Sequence, residues 1–258
     1  MNKERMILAK LITSLAAISL FFVVVSCNNT NPMSNGESNK DGNVTDADGN
    51  VYHTVTIGTQ TWTVENLRTT KYNDGTAIPH VTDSTAWANL STPAYCNYGN
   101  TVNSDSIKKF GNLYNWYAVN TGKLAPTGWH IPTDSEWTVL VDYLILHGYN
   151  YDGTTDTNDA VGNKVAKSLA AQTDWKSGGL TGGIGVDLSK NNSSGFSALP
   201  GGLRRVSGFI GIGSEGRWWS ATEDDKLAWE RDLSYAYKSL MKDWNQKMEG
   251  LSVRLVKD

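Results

Sequence analysis

Six carboxylates, Glu215, Glu223, Asp224, Asp225, Glu230 and Asp232, are the side chains best suited to acid–base chemistry. Glycoside hydrolysis needs two of them about 5–10 Å apart across a cleft. Their spacing along the chain places no pair that way, and solvated loops are the expectation for all six. The histidines, His53, His80, His130 and His147, are dispersed, with neither His-x-His nor His-Glu-x-x-His spacing, which argues against a zinc centre. His130, within Trp129-His130-Ile131-Pro132, is expected to be a packed hydrogen-bonding residue, not a base. Asp46-Ala47-Asp48-Gly49-Asn50 alternates oxygen ligands as a calcium loop does. Its Gly is displaced, however, and Ile57 stands where the bidentate Glu belongs, so a tight turn into a strand is expected. Gly211-Ile212-Gly213-Ser214-Glu215-Gly216 spells G-x-G-x-x-G but runs into Trp218-Trp219 in a strand-like stretch instead of opening a helix, which removes the nucleotide reading. No Gly-x-Ser-x-Gly elbow occurs. Cys96 has no His beside it and is expected to be a small buried apolar residue. These patterns supply no catalytic residue, no metal site and no cofactor.

Ten Trp and eleven Tyr offer a different chemistry, that of flat apolar faces. Trp218, Trp219, Trp229, Tyr235, Tyr237 and Trp244 cluster toward the C-terminus. Most are expected in the core, because Trp buries a large area. One or two could present a ring from a loop, where a sugar stacks through its C–H face. Trp229, Tyr237 and Trp244 are the candidate ligand-contacting residues.

The N-terminus bears on where such a face is displayed. Lys3, Arg5 and Lys10 precede the apolar run Leu11–Val25, which is shorter than the ~20 residues that span a bilayer core. It closes on Val24-Val25-Ser26-Cys27, similar to the lipobox of bacterial lipoproteins, in which the Cys becomes the acylated N-terminus. Residues 1–26 are thus expected to be a signal peptide and Cys27 the lipid attachment site, with several acyl chains giving a stable membrane anchor. Asn28 is not the Asp associated with inner-membrane retention, so the outer membrane is expected. Cleavage removes Lys3, Arg5, Lys10 and Glu4, taking the 23 basic and 26 acidic side chains to 20 and 25. A mildly acidic chain with no basic run has no electrostatic footprint for nucleic acid. With Cys27 acylated, Cys96 has no disulfide partner in the chain.

Residues 27–43 are polar except for Met33 and are expected to form a flexible tether. Residues 44–258 keep one composition and read as a single α+β domain of roughly 210 residues. Alternation over Val51–Ile57, Gly58-Thr59 and the run Gln60–Leu67 predict a hairpin. A helix is expected over Leu113–Val119. A clearer one follows Pro132, with Thr133 and Glu136 as a capping box, Trp137, Leu140, Val141, Leu144 and Ile145 as its apolar stripe, and Gly148 beyond its end. Another is expected near Asn158–Ala170. Gly-rich punctuation then separates strands at Trp218–Thr222, Ala228–Leu233 and Leu251–Val256.

Several blocks carry a resemblance: TQTWTVENLRTTKY at Thr59–Tyr72, FGNLYNWYAV at Phe110–Val119, PTGWHIPTDSEW at Pro126–Trp137, GFSALPGG at Gly195–Gly202, WWSATE at Trp218–Glu223 and SVRLVKD at Ser252–Asp258. Together they resemble the Fibrobacter succinogenes major paralogous domain over residues 44–258. HIPTDSEW and Gly250-Leu-Ser-Val-Arg254 are in turn similar to blocks of the C-type-lectin-like superfamily, which includes the formylglycine-generating-enzyme domain. The resemblance implies a C-type-lectin-like α+β fold with paired termini, two main helices, short antiparallel strands and long irregular loops. Family members often carry Cys where this chain has Ala125 and Leu255, so no disulfide is carried over. With Cys96 alone the thiol chemistry and copper of that enzyme are not carried over either. Asp243-Trp244-Asn245 faintly echoes the Trp-Asn-Asp of calcium-dependent lectins, but the carboxylate is on the wrong side and no Glu-Pro-Asn or Gln-Pro-Asp occurs. The resulting expectation is a non-catalytic cell-envelope binding or adhesion module for polysaccharide or another protein. The alternatives are a structural surface-coat component and an enzyme of unrecognised type.

Overall fold

A computed structural model describes residues 42–156 and 162–258. The signal segment, Cys27 and the tether as far as residue 41 lie outside the described residues, as do residues 157–161, which include the start of the helix expected near Asn158–Ala170. The described chain is mixed α+β, mostly short strands with few helices.

The first strands follow from local chemistry. β1 (Asn43–Thr45) and β2 (Val51–Ile57) are joined by a turn in which Asp46 Oδ1 accepts the backbone N–H groups of Asp48 and Asn50, each at 2.9 Å. The carboxylate thus organises its own turn. β2 buries Tyr52, Thr54, Val55 and Ile57. Gly58 then turns the chain at φ +62°, where an added Cβ would meet the Tyr143 ring at 2.6 Å. The return strand β3 (Gln60–Thr63) is shorter than the run to Leu67, because the following backbone leaves the hairpin for the C-terminal segment: Leu67 N–H donates to Val253 O.

Next come α1 (Ser84–Ala88), β4 (Tyr95–Cys96), α2 (Ser104–Phe110) and β5 (Leu113–Tyr114). The expected helix over Leu113–Val119 is only α3 (Trp116–Val119), because Asn115, extended at φ −77° and ψ 161°, caps it from within the run by accepting Ala118 N–H. β6 (Trp129–His130) leads into α4 (Asp134–Leu146), which has the complete capping box of Thr133 and Glu136 and buries Trp137, Leu140, Leu144 and Ile145. Gly148 follows it at φ +77°. At 13 residues α4 is the one long helix among those described, where two main helices were expected. The helix sought near Asn158–Ala170 is the single turn α5 (Ala166–Leu169) among the described residues. The Asn163 side-chain amide donates to Leu240 O, and the backbone N–H groups of Lys164 and Ala166 donate to Asn150 Oδ1 and Lys238 O, so this stretch is tied to neighbouring loops.

β7 (Gly201–Arg205), β8 (Gly208–Ile212), β9 (Glu215–Asp224), β10 (Leu227–Ser234), β11 (Met241–Gln246) and β12 (Val256–Lys257) complete the chain. They form one sheet in the order β11-β10-β9-β7-β8, while β12 joins the N-terminal sheet, β1-β2-β3-β12-β6. The strand expected over Leu251–Val256 is ordered only at its end. Leu251 and Ser252 make isolated bridges to Tyr114 and Trp218 instead. Val256 lies opposite Trp62, so the C-terminus is paired with the N-terminal hairpin.

Trp62, Trp87, Trp116, Trp137, Trp175, Trp218 and Trp219 are buried. Among them runs the fully buried guanidinium of Arg254, the Arg of the Gly-x-x-Val-Arg block. Its Nη1 donates to Thr63 O (2.7 Å) and Phe196 O (3.0 Å), its Nη2 to Ser197 O (3.2 Å) and its Nε to Asn66 Oδ1 (2.8 Å). Trp218 Nε1 donates to the same Asn66 oxygen at 2.9 Å. Arg254→Met keeps the apolar stem but removes the donor from the carbonyls of Thr63, Phe196 and Ser197, and each orphaned buried acceptor costs ~1–3 kcal/mol. We expect chemical denaturation to show a loss of about 3 kcal/mol or more; a loss under about 1 kcal/mol would refute that role.

Candidate functional site

β11 is an edge strand whose side chains alternate between two surroundings. Trp244 lies directly across from Trp229 of β10 and is 51% exposed, while Trp229 is half-buried. The β9–β10 register shifts between Ala228 and Glu230, so Trp229 is matched with Trp244 alone; such irregularities re-aim side chains. Two residues from Trp244, Lys242 places Nζ 4.1 Å from the Trp229 ring centroid and 2.8 Å from Asp134 Oδ2. Asp134 also holds Arg231 at 2.7 Å, so one carboxylate on α4 serves two cations. Trp244 N–H is taken by the Asp243 carboxylate at 2.9 Å, which blunts the strand edge against pairing with another strand.

The structure brings Trp229 and Trp244 together, and places Tyr237 in the β10–β11 connection. Tyr237, also 51% exposed, lines a groove of about 950 Å³ with Tyr151, Leu180, Lys238, Met241 and Lys242. Lys242 therefore touches both the tryptophan platform and the groove. Sequence reasoning missed Lys242 and Tyr151. The strand alternation of Met241–Gln246 would have put Lys242 on the face of Trp244. Nothing local marks Tyr151, which reaches the groove only through the fold.

The six carboxylates separate into two groups. Glu223, Asp224 and Asp225 are exposed, as expected, and Glu215 is half-buried. Glu230 and Asp232 are not solvated loop residues: both lie on β10, and Glu230 is fully buried. They face Arg217 of β9, which pairs with Glu230 through Nη1, with Asp232 through Nη2 (3.1 Å) and with Glu215 through Nε (3.0 Å). One guanidinium among three carboxylates leaves negative charge uncompensated. Burial pushes the Glu230 carboxyl up to about 7 and that of Asp232 up to about 6, against the pull of Arg217. Glu230 is fully buried, and through Arg217 the cluster ties β9 to β10.

His130 bonds Asp258 through Nδ1 (2.6 Å) and Glu136 through Nε2 (2.7 Å). Burial works against its cation, but the two carboxylates outweigh it and raise its pKa. Cys96 is buried, and burial pushes its thiol up to about 11. Among the described residues no group of three or more His, Cys, Asp or Glu side chains is placed to hold a metal ion. No described helix is long and apolar enough to cross a membrane.

The buried pair makes stability depend on pH in a defined direction. Glu230 and Asp232 titrate at about 7 and about 6 in the fold, against ~4.3 and ~3.9 in an unfolded chain. The folded state therefore holds extra protons, and this contribution is complete below about pH 4 and lost as pH rises through about 7. Between pH 5 and pH 8 the Tm is expected to fall, and to fall less in Glu230→Gln, which cannot titrate there. Superimposable pH profiles for the two proteins would contradict it.

The family model for the Fibrobacter succinogenes major domain matches residues 55–257, from within β2 to β12. No curated protein and no solved structure matches the chain. The matched stretch contains α4 with its capping box, both tryptophans of the edge platform, the Arg217 cluster and Arg254. The chain belongs to the Fibrobacter succinogenes major domain family.

Proposed function

We propose that this domain is a non-catalytic polysaccharide-binding module of C-type-lectin-like arrangement, held at the cell envelope by acyl chains on Cys27. The observation that carries the proposal is the half-exposed ring of Trp244, directly across from Trp229 in the strand register on a sheet edge, two residues from Lys242, which lines an open groove. An exposed indole is a flat apolar surface, and sugar rings present C–H faces that stack on such surfaces. Trp244 contributes little to the core, so its exposure has to be accounted for on the surface. The C-type-lectin-like arrangement is supported by the pairing of β12 with the N-terminal hairpin. A non-catalytic role is supported by the complete burial of Glu230 and by the engagement of Asp232 with Arg217. A coat built by edge-to-edge strand pairing is disfavoured by the Asp243 carboxylate on Trp244 N–H and by the charges of Lys242 and Asp243 on that strand.

Truncating an aromatic hot spot costs ~2 kcal/mol or more, about 30-fold in affinity. Trp244→Ala is thus expected to weaken retention on polysaccharide in affinity electrophoresis about 30-fold while leaving Tm unchanged. Equal retention of both proteins would end the proposal. For the anchor, mass spectrometry of the membrane-extracted protein is expected to find an acylated Cys27 as the N-terminal residue. A mature N-terminus without lipid would show that acyl chains are not what holds it.

A further inference from the structure

The groove beside the platform has a chemistry of its own. Tyr151, Leu180, Tyr237 and Met241 are all exposed large apolar side chains, and all four line this one space. The orientation of Tyr151 is set by Gly182, where a Cβ would meet the ring at 2.4 Å; the absence of a side chain there lets the ring lie against the backbone. The charged side chains among the described lining residues are Lys238 and Lys242, with no carboxylate. Lys242 shares Asp134 with Arg231, so that trio keeps one positive charge. Thr181 and Ser239 add hydroxyls to the wall. The chain as a whole is acidic, with a formal charge of −3, so a groove lined by two lysines and no acid runs against its average.

We infer that the groove takes an acidic sugar, a pyranose bearing a carboxylate, whose ring packs on Tyr151 and Tyr237 and whose carboxylate meets Lys238 and Lys242. The inference rests on the polysaccharide reading of the Trp244 platform and assigns that ligand its charge. The platform and the groove share Lys242, so one glycan chain engages both, with stacking on Trp244 and charge recognition beyond it. Exposed ion pairs are worth ~1 kcal/mol or less, so the discrimination due to one lysine is about fivefold. It weakens in high salt, where exposed charges are screened.

The test uses the purified lipidated chain in detergent and three probes: polygalacturonate, its fully methyl-esterified form and poly-L-glutamate. The ester keeps the sugar rings and removes the charge; the polypeptide keeps the carboxylates and removes the rings. The expected result is binding to polygalacturonate about fivefold or more tighter than to the ester, and no binding to poly-L-glutamate. Lys238→Gln is expected to erase most of that preference without changing affinity for the ester, and Trp244→Ala to weaken both sugar probes. Equal binding of the two sugar probes by the parent protein would overturn the acidic-sugar inference and leave the polysaccharide module standing. Binding to poly-L-glutamate as tight as to polygalacturonate would replace the sugar with an acidic peptide. Binding of neither sugar probe would remove both proposals.

Discussion

Backbone carbonyls in an irregular interior need hydrogen-bond donors, and this chain supplies them with buried cations. A loop that crosses a core has no ladder to satisfy its polar groups, and each one left unpaired there is costly. Arg254 collects the carbonyls of Thr63, Phe196 and Ser197. Arg204, stacked on Trp87 at 4.3 Å, collects those of Val81, Thr82 and Asp83. Lys167 collects those of Gly183, Val186 and Asp187. No carboxylate forms an ion pair with any of the three among the described residues. Burial accordingly lowers the pKa of Arg254 to about 9 and that of Lys167 below its usual value. The carbonyl dipoles stand in for the missing counter-ion.

Among the described residues there is one long helix and many two- to five-residue elements, and this device satisfies the backbone between them. Arg254 ties the C-terminal segment to β3 and to the 196–197 loop. Through Asn66 it also reaches the Trp218 indole, and so the first residues of β9. β9 in turn carries Arg217, whose three carboxylates include two from β10. β10 therefore has two unlike faces. Glu230 and Asp232 point to Arg217, while Trp229 and Arg231 point the other way, toward Lys242, Trp244 and Asp134 of α4. The period of two in a strand permits this split. On the opposite face of the strand that carries Trp229, Arg217 holds Glu230 and Asp232.

Local patterns were legible where the residues that decide them are neighbours. Thr133 and Glu136 are three apart, and they cap α4 as their spacing requires. The alternation of Val51–Ile57 and the glycine at 58 made the first hairpin readable, and the Asp46 turn followed from an Asx side chain bonding residues two and four ahead. Legibility failed where a distant partner competed. Asn115 cut one expected helix short, and in the described part of another, Asn163, Lys164 and Ala166 bond to Leu240, Asn150 and Lys238. Glu230 and Asp232 looked like solvated carboxylates because their partner Arg217 lies across a strand pair, 13 to 15 positions away.

The sequence by itself determined a Trp-rich α+β domain of this family, with a capped helix and a paired N-terminal hairpin, because each of those signals is written within a few residues. Only the tertiary structure decided which tryptophan faces solvent, which carboxylates are buried and which cations serve the loops. Those outcomes depend on partners far apart in the chain: Thr63 is 191 residues from Arg254, and Phe196 is 58. Trp244, 51% exposed, lies on β11, which among the described residues is at one end of the order β11-β10-β9-β7-β8. No periodicity within β11 records that position, since the edge of a sheet is a property of strand order and not of the strand.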